Sequence, residues 1–283
     1  MKTLYVIYHL ALADFYERTR RFQFLVILAG VVFLGSMIND GTFTLSVVGS
    51  DLKTAYRGVL NSAWIGTMSV LVINSLMFLL GYYLVSGCIQ RDTVTGVGQI
   101  IATTPISRAA YLVGKWISNC LVLSVMWLIL AAAAVIMVLI QGQAALELGP
   151  LLLPFLAVAL PSMALSAALA VVFETIPWQR GVVGNVIYFF GWVGLVLITL
   201  LGIVELPFPL DPLGVNIFRP SLYAGAGATY PNETFTMLSA MGSTSDSIQI
   251  RIFDWSGVAW TPGIIAGQWL WVVISIGLLL LSS

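Results

Sequence analysis

The amino-acid sequence predicts an all-α membrane protein with six transmembrane helices. The first observation behind this fold class is the composition. Of the 283 residues, 59% are hydrophobic and only 8% are charged, whereas soluble domains carry about 25% charged residues. So few charged side chains cannot cover a surface that faces water, which makes lipid the solvent for most of the chain. The formal net charge is zero, which argues against nucleic acid as a partner.

The second observation is a set of six stretches that are long and apolar enough to cross a bilayer, which takes about 20 apolar residues. They are residues 22–38, 63–89, 111–140, 150–173, 182–204 and 264–282. With the N-terminus inside, eight of the 12 Lys and Arg residues fall in segments on the inner side and four on the outer side. Because Lys and Arg near span ends favour the cytoplasm, we expect both termini to be cytoplasmic. The expected location is the inner (plasma) membrane of the cell.

Residues 1–21 precede the first span and are predicted to form an interfacial elbow helix. Apolar side chains recur at helical spacing, and charges gather at the end nearest the first span. The apolar positions are Leu4, Ile7, Tyr8, Ala11 and Phe15. This pattern is typical of an amphipathic helix lying in the cytoplasmic interface, with Phe15, Arg18, Arg20 and Arg21 as its interfacial residues. A solvated tail with a basic anchor is the alternative.

The loop at 90–110, between the second and third spans, predicts a short helix and a hinge. Val94, Val97 and Ile101 recur at i, i+3 and i+7, which places them on one face of a helix. Pro105 suits the first position of a following helix, and Thr104 suits its N-cap. Such a loop can transmit a push from a soluble partner to a transmembrane helix. An ordinary connector is the alternative.

The chain resembles the membrane subunit of an ATP-binding-cassette (ABC) exporter of the second type. The resemblance rests on the run ADFYERTRRFQF at 13–24, on RDTVTG at 91–96 followed by TPISR at 104–108 and GK at 114–115, and on the six-span layout. It covers roughly residues 1–205, and the remainder by topology only. It implies a six-helix transmembrane domain, 22–283, that dimerises with an identical or related permease subunit.

The resemblance also implies the partners and the residues that meet them. The loop would be a coupling helix that docks on a separate ABC ATPase, present in two copies, which binds the ATP and Mg²⁺. The implied contact residues in the loop are Arg91, Asp92, Thr95, Val97, Ile101, Thr104, Pro105 and Arg108. At the cytoplasmic exit of the fourth span, Glu174 is expected to pair with Arg180 or to meet the ATPase, which makes Glu174 and Arg180 a second cytoplasmic contact; an ordinary surface connector is the alternative. Membrane lipids complete the expected partners.

The motifs of several enzyme classes are missing from the sequence. Gly114-Lys115 is followed by Trp116 and does not complete a P-loop, which needs Ser or Thr there. We therefore expect a non-catalytic permease subunit with no catalytic, cofactor-binding or metal-binding residues. The spans contain few ionisable groups, which argues against an ion-coupled carrier. An ATP-independent carrier and a non-transporting membrane scaffold stay as alternatives.

Polar and proline residues inside the spans carry structural predictions. Asn74 is expected to bond across helices, as amides in spans do, and Asn119 to lie near the wet inner interface. Pro150, Pro154 and Pro161 predict a bend in the fourth span.

The external segment at 205–263 departs from the family, in which short helices re-enter the membrane at this place. Isoleucines at 248, 250 and 252 alternate with other residues, as do apolar residues at 43, 45 and 47, a spacing typical of strands. We therefore expect these two segments to pair as a small external sheet. The last span lacks a basic flank, which leaves open whether the natural chain continues past Ser283.

Overall fold

The computed structural model describes residues 2–20, 22, 24–26, 29–30, 32–33, 44–51, 53–104, 106–203, 210–241 and 249–283. The α-helices in these ranges are α1 (Lys2–Thr19), α2 (Ser62–Val85), α3 (Cys88–Val94), α4 (Val97–Ala102), α5 (Arg108–Gln141), α6 (Leu148–Pro154), α7 (Leu160–Thr175), α8 (Val182–Leu201), α9 (Val215–Thr229) and α10 (Pro262–Leu281). A π-helical turn, Phe155–Ala159, joins α6 to α7. The strands are β1 (Thr44–Gly49), β2 (Thr54–Gly58), β3 (Phe235–Met241) and β4 (Gln249–Phe253).

Five helical stretches among these residues are long and apolar enough to cross a membrane. They are Ser62–Val94, Arg108–Gln141, Leu148–Thr175, Val182–Leu201 and Pro262–Leu281. They match the second to sixth predicted spans, so the helical membrane fold is confirmed to that extent. Of the first predicted span, 22–38, the structure describes residues 22, 24–26, 29–30 and 32–33, which are helical. The remainder lies outside the described residues, and the count of six stays a prediction.

Three of the long helices begin at a polar residue whose side chain accepts a hydrogen bond from a backbone N–H three positions further on. The capping residues are Asn61 before α2, Ser107 before α5 and Thr261 before α10. Each satisfies one of the N–H groups that a helix start leaves without an intrahelical partner.

The fourth predicted span is irregular where its prolines fall. Pro161 has no amide hydrogen and so cannot make the regular backbone hydrogen bond to the preceding turn. The helix takes π geometry at Phe155–Ala159, directly before this position, and Pro154 lies within α6. Insertion of a π turn is one of the recognised causes of a helix bend.

Helices α2 and α6 approach each other closely at Gly66. A Cβ atom at this position would lie 2.4 Å from the carbonyl oxygen of Leu151. Backbone atoms cannot move aside as a flexible side chain can, so Gly66→Ala must push the two helices apart. We expect the substitution to lower the free energy of unfolding by about 1–3 kcal/mol, the usual cost of overpacking.

Thermal unfolding in detergent measures this effect. Gly191→Ala on α8 is the matched control, because a Cβ there meets no atom within 4 Å. Equal melting temperatures for the two variants would show that α2 and α6 are not in contact at Gly66.

A four-stranded sheet covers one end of the helix bundle. Its order is β3-β1-β2-β4. Strand β1 is antiparallel to β2 and β3, and β2 is parallel to β4. The two predicted strand segments thus join one sheet, but they are not paired with each other, because β2 lies between them. Neither β2 nor β3 was predicted, and an all-α description is therefore too narrow.

Aromatic side chains join the sheet to the bundle. The ring of Tyr56 on β2 is fully buried and lies 5.1 Å from the ring of Tyr230 and 5.2 Å from that of Phe235. Trp64 on α2 packs edge-on against Phe253 of β4. Edge-to-face rings at these distances stabilise beyond the area they bury. The sheet is therefore fixed to the start of α2.

The turn at 211–214, before α9, reaches deep into the bundle from the sheet end. Nδ2 of Asn74 donates to the carbonyl oxygen of Leu213 at 3.1 Å and to Oγ of Ser162 at 3.0 Å. Asn74 lies 12 residues into α2, or about 18 Å along a helix that rises 1.5 Å per residue. The prediction that Asn74 bonds across helices is confirmed. The predicted external segment, 205–263, also contains helix α9.

The other predicted polar residue of the spans, Asn119, is not wet. It is completely buried on α5, and its Nδ2 donates to the carbonyl oxygen of Ala167 on α7 at 3.4 Å. The expectation of a solvated amide is wrong because α7 covers this face of α5.

Candidate functional site

The loop between α2 and α5 lies at the end of the bundle opposite the sheet and forms two short helices. Helix α3 ends at Val94, Gly96 has a left-handed φ of 76°, and α4 begins at Val97. The prediction that Val94, Val97 and Ile101 share one helix face is wrong, because Gly96 turns the chain between them. Such a φ suits glycine, which has no Cβ.

The hinge after α4 also differs from the expectation. Oγ1 of Thr104 donates to the carbonyl oxygen of Ile101 at 2.6 Å, so Thr104 closes α4 and does not cap α5. The cap of α5 is Ser107, whose Oγ accepts from the N–H of Ala110 at 3.2 Å. Pro105 lies outside the described residues.

A buried ionic cluster links α1, α3 and α5. It consists of Asp14, Arg18, Arg91, Asp92 and Lys115. Asp14 is at its centre: Oδ1 accepts from Nη2 of Arg91 at 2.7 Å and from Nζ of Lys115 at 3.0 Å. Oδ2 of Asp14 lies 2.9 Å from Nη2 of Arg18. Because each of these groups has an opposite charge beside it, the cluster can stay charged when buried.

Lys115 holds α3 against α5 through Asp92. Its Nζ lies 2.8 Å from Oδ2 and 2.9 Å from Oδ1 of Asp92. The hydroxyl of Tyr111 donates to the same carboxylate at 2.7 Å. Asp92 therefore faces inward, and the side chain of Lys115 is only 3% exposed. Such an arrangement fixes the register of α3 along α5.

The electrostatics keep the central carboxylate ionised. Burial alone raises the pKa of Asp14, but the charges of Arg18 and Lys115 and the hydrogen bond from Ser118 outweigh it. The net effect places the pKa of Asp14 below its ordinary value. Nearby cations and hydrogen bonds to the charged form are the two influences that produce this direction.

Glu174, in the last turn of α7, caps the start of α3. Its Oε1 accepts from the backbone N–H of Cys88 at 2.9 Å. Its Oε2 accepts from the N–H groups of Ile89 at 2.6 Å and Gln90 at 3.1 Å. The residue before α3 is Gly87, which has no side chain to supply a cap. A carboxylate at a helix N-terminus also interacts favourably with the helix dipole.

The predicted contact residues divide into an inner and an outer set. Arg91 and Asp92 belong to the ionic cluster and point into the protein. Thr95, Val97, Thr104 and Arg108 are exposed, whereas Ile101 is half-buried. Val94, at the turn between α3 and α4, is 80% exposed, and Val97 is 42% exposed. The outer face therefore presents apolar side chains to its surroundings.

The N-terminal helix is present, but its inward stripe differs from the predicted apolar one. Ala11, Asp14 and Arg18 face α5 and are buried, while Tyr8 is 60% exposed. Phe15 is half-buried, Arg20 is exposed, and Arg21 lies outside the described residues. The charged stripe turns inward because its partners are Arg91 and Lys115, on α3 and α5.

Close packing accompanies these ion pairs. A Cβ at Gly114 would lie 2.8 Å from the side chain of Leu10 on α1. The Gly114-Lys115 pair thus has two structural roles: the glycine lets α1 approach α5, and the lysine binds the carboxylates between them.

Arg180 does not pair with the carboxylate of Glu174. Its Nε instead donates to the backbone carbonyl oxygen of Glu174 at 2.8 Å. This hydrogen bond satisfies one carbonyl that the end of α7 leaves without an intrahelical donor.

The sequence alone did not reveal the roles of Asp14 and Lys115. Their only signals were the i, i+4 pair Asp14–Arg18 and a lysine at the border of a long apolar run.

Comparison with known proteins does not assign the chain to a family. No family model matches it, and no curated protein matches its sequence. Among the described residues, no group of three or more His, Cys, Asp and Glu side chains could hold a metal ion. The function proposed below therefore rests on the contacts around α3 and α4.

Proposed function

We propose that this chain is the transmembrane subunit of an ABC exporter of the second type, with six spans and cytoplasmic termini. In this proposal α3 and α4 form the coupling element that receives a separate ATPase. Two such subunits, identical or related, would line the pathway. The observation that carries the proposal is the contrast between the two faces of the loop. The inner, anchored face is bound to α5 and α7 through Asp92 and the first amides of α3, and the outer, open face exposes Val94 and Val97.

The anchored face suits the transfer of force. The carboxylate of Glu174 ties α3 to α7, and the Lys115–Asp92 ion pair ties α3 to α5. A displacement of α3 is therefore passed to two candidate spans at once. Buried ion pairs and charge-assisted hydrogen bonds are strong enough to resist local slippage.

The open face suits the docking of a soluble partner. Val94 and Val97 are apolar yet exposed, and they stand at the tip of the loop with exposed polar groups beside them. An apolar centre with a polar rim is the usual anatomy of a protein–protein interface. An ordinary connector would need neither exposed valines nor a rigid base.

Co-purification tests the proposal. The tagged chain, extracted from its own host in mild detergent, should retain a subunit that hydrolyses ATP. Val94→Asp and Val97→Asp place charges on the exposed face and should reduce the retained ATPase activity about tenfold or more, because a desolvated, unpaired charge is costly in an interface.

Leu146→Asp is the matched control for these variants. Leu146 is 37% exposed in the connection between α5 and α6, at the sheet end of the bundle, and its substitution should leave the retained activity unchanged. A wild-type preparation that retains no ATP-hydrolysing subunit contradicts the ABC proposal and favours a carrier or scaffold. Equal retention by all three variants contradicts docking at α3 and α4.

A further inference from the structure

A cavity of about 300 Å³ opens beside the ionic cluster, between α1, the end of α2, α3 and α5. Its lining is amphipathic. Arg18, Gln90 and Arg91 supply polar groups, whereas Phe24, Leu84 and Val122 supply apolar surface. A site with this division fits a molecule that has a polar head and an apolar chain.

The guanidinium of Arg18, which lines the cavity, has an N–H donor that makes no hydrogen bond. Arg18 is only 5% exposed, and its Nη1 donates to the carbonyl oxygen of Val85 at 3.4 Å. Its Nε is buried without a hydrogen-bond partner. A buried donor without an acceptor costs free energy, and an acceptor entering the cavity would remove that cost.

The charged side chains that line the cavity also favour an anion, since both are arginines, Arg18 and Arg91. The cluster contains three cations, Arg18, Arg91 and Lys115, against two buried carboxylates, Asp14 and Asp92. Two further carboxylates lie nearby without lining the cavity. Glu17 is half exposed and lies 3.6 Å from Nε of Arg91, and Glu174 is buried and accepts from the backbone N–H groups at the start of α3. Guanidinium groups are well suited to phosphate, which they bind with paired N–H donors.

We propose that this cavity binds an anionic phospholipid, with its phosphate between Arg18 and Arg91 and the start of an acyl chain against Phe24, Leu84 and Val122. The apolar wall distinguishes a lipid from a free phosphate ion, which would use only the two arginines. Basic pockets between transmembrane helices commonly recognise lipid head groups in this way. The proposal does not depend on the ABC assignment.

Native mass spectrometry of the purified chain in detergent tests the site. Phosphatidylglycerol should bind about tenfold more tightly than phosphatidylcholine with the same acyl chains. Gln90→Glu adds a negative charge to the cavity wall and should weaken phosphatidylglycerol binding about tenfold, since like charges at close range repel strongly near a protein surface. Phosphatidylcholine binding should change little.

Gln99→Glu on α4 is the matched control, because Gln99 is exposed and does not line the cavity. Gln90→Glu should keep the fold: the side chain is exposed, Glu174 is bound by the backbone N–H of Gln90, and an acidic residue suits the first turn of a helix. Near-ultraviolet circular dichroism confirms folding in both variants.

Three outcomes would overturn the proposal. The first is equal binding of the two lipids by the wild type. The second is an equal effect of Gln90→Glu and Gln99→Glu. The third is binding of glycerol phosphate as tight as that of phosphatidylglycerol, which would identify a site for small anions with no role for the acyl chain.

Discussion

Glu174→Ala is expected to lower the free energy of unfolding by about 3 kcal/mol and to release α3 from α7. The substitution removes the acceptor of three backbone N–H groups, those of Cys88, Ile89 and Gln90. Hydrogen bonds to a charged group contribute about 1.5–3 kcal/mol each, and the loss is not additive because water reaches part of the site afterwards. An isolated helix of seven residues is also too short to persist without external contacts.

Two measurements separate the loss of global stability from the release of α3. Thermal unfolding in detergent measures global stability. Hydrogen exchange at Cys88, Ile89 and Gln90 measures the release of α3, and exchange at these amides should accelerate well before global unfolding. Glu147→Ala is the control, since Glu147 precedes α6 without a side-chain cap hydrogen bond. Unchanged exchange in Glu174→Ala would show that the carboxylate does not hold α3.

Lys115→Met is expected to be the most damaging single substitution in the ionic cluster, with a loss of about 3–5 kcal/mol. Methionine retains most of the side-chain volume but removes the ammonium group between Asp14 and Asp92. The two carboxylates then face each other in a buried place, where like charges repel and water cannot screen them. The helix contacts of α1 and α3 with α5 should loosen together.

A double-mutant cycle makes this prediction specific. Lys115→Met combined with Asp92→Asn removes one of the two opposing charges and should recover about half of the lost stability. Lys53→Met is the matched control, because Lys53 is exposed beside β2 and should tolerate the change. If the double variant is as unstable as Lys115→Met alone, repulsion between the carboxylates is not the cause.

The parts of this fold that could be predicted from the sequence are those governed by apolar run length. A helix such as α5 satisfies its own backbone hydrogen bonds, so its existence depends on local composition and not on distant residues. Strands depend on a partner elsewhere in the chain. For this reason β2, which contains Arg57 and Gly58, gave no recognisable local signal, although it forms the centre of the sheet with β1.

The candidate site likewise has one part that could be predicted from the sequence and one part that could not. The position of the loop could be predicted because its charges and Pro105 separate two apolar runs. The inward direction of Asp14, Asp92 and Lys115 could not, because a charged residue near a span end is usually solvated. Only the three-dimensional arrangement shows that Lys115 lies between the two carboxylates and that Arg18 and Arg91 lie beside Asp14. The cap from Glu174 to Cys88 joins residues 86 positions apart, a separation over which local patterns carry no information.

The order of the strands in the sheet determines how long each strand waits for its partners while the chain is being synthesised. Val48 of β1 and Thr236 of β3, whose side-chain hydroxyl donates to the carbonyl oxygen of Val48, are 188 positions apart. At about 5–20 residues per second, β1 and β2 must wait about 10–40 s for their outer neighbours. During that time both edges of the β1–β2 hairpin have unpaired backbone groups, which can pair with another chain. Ribosome pausing or truncation before residue 235 should therefore leave a nascent chain that is prone to aggregation, even with most of its apolar helices already made.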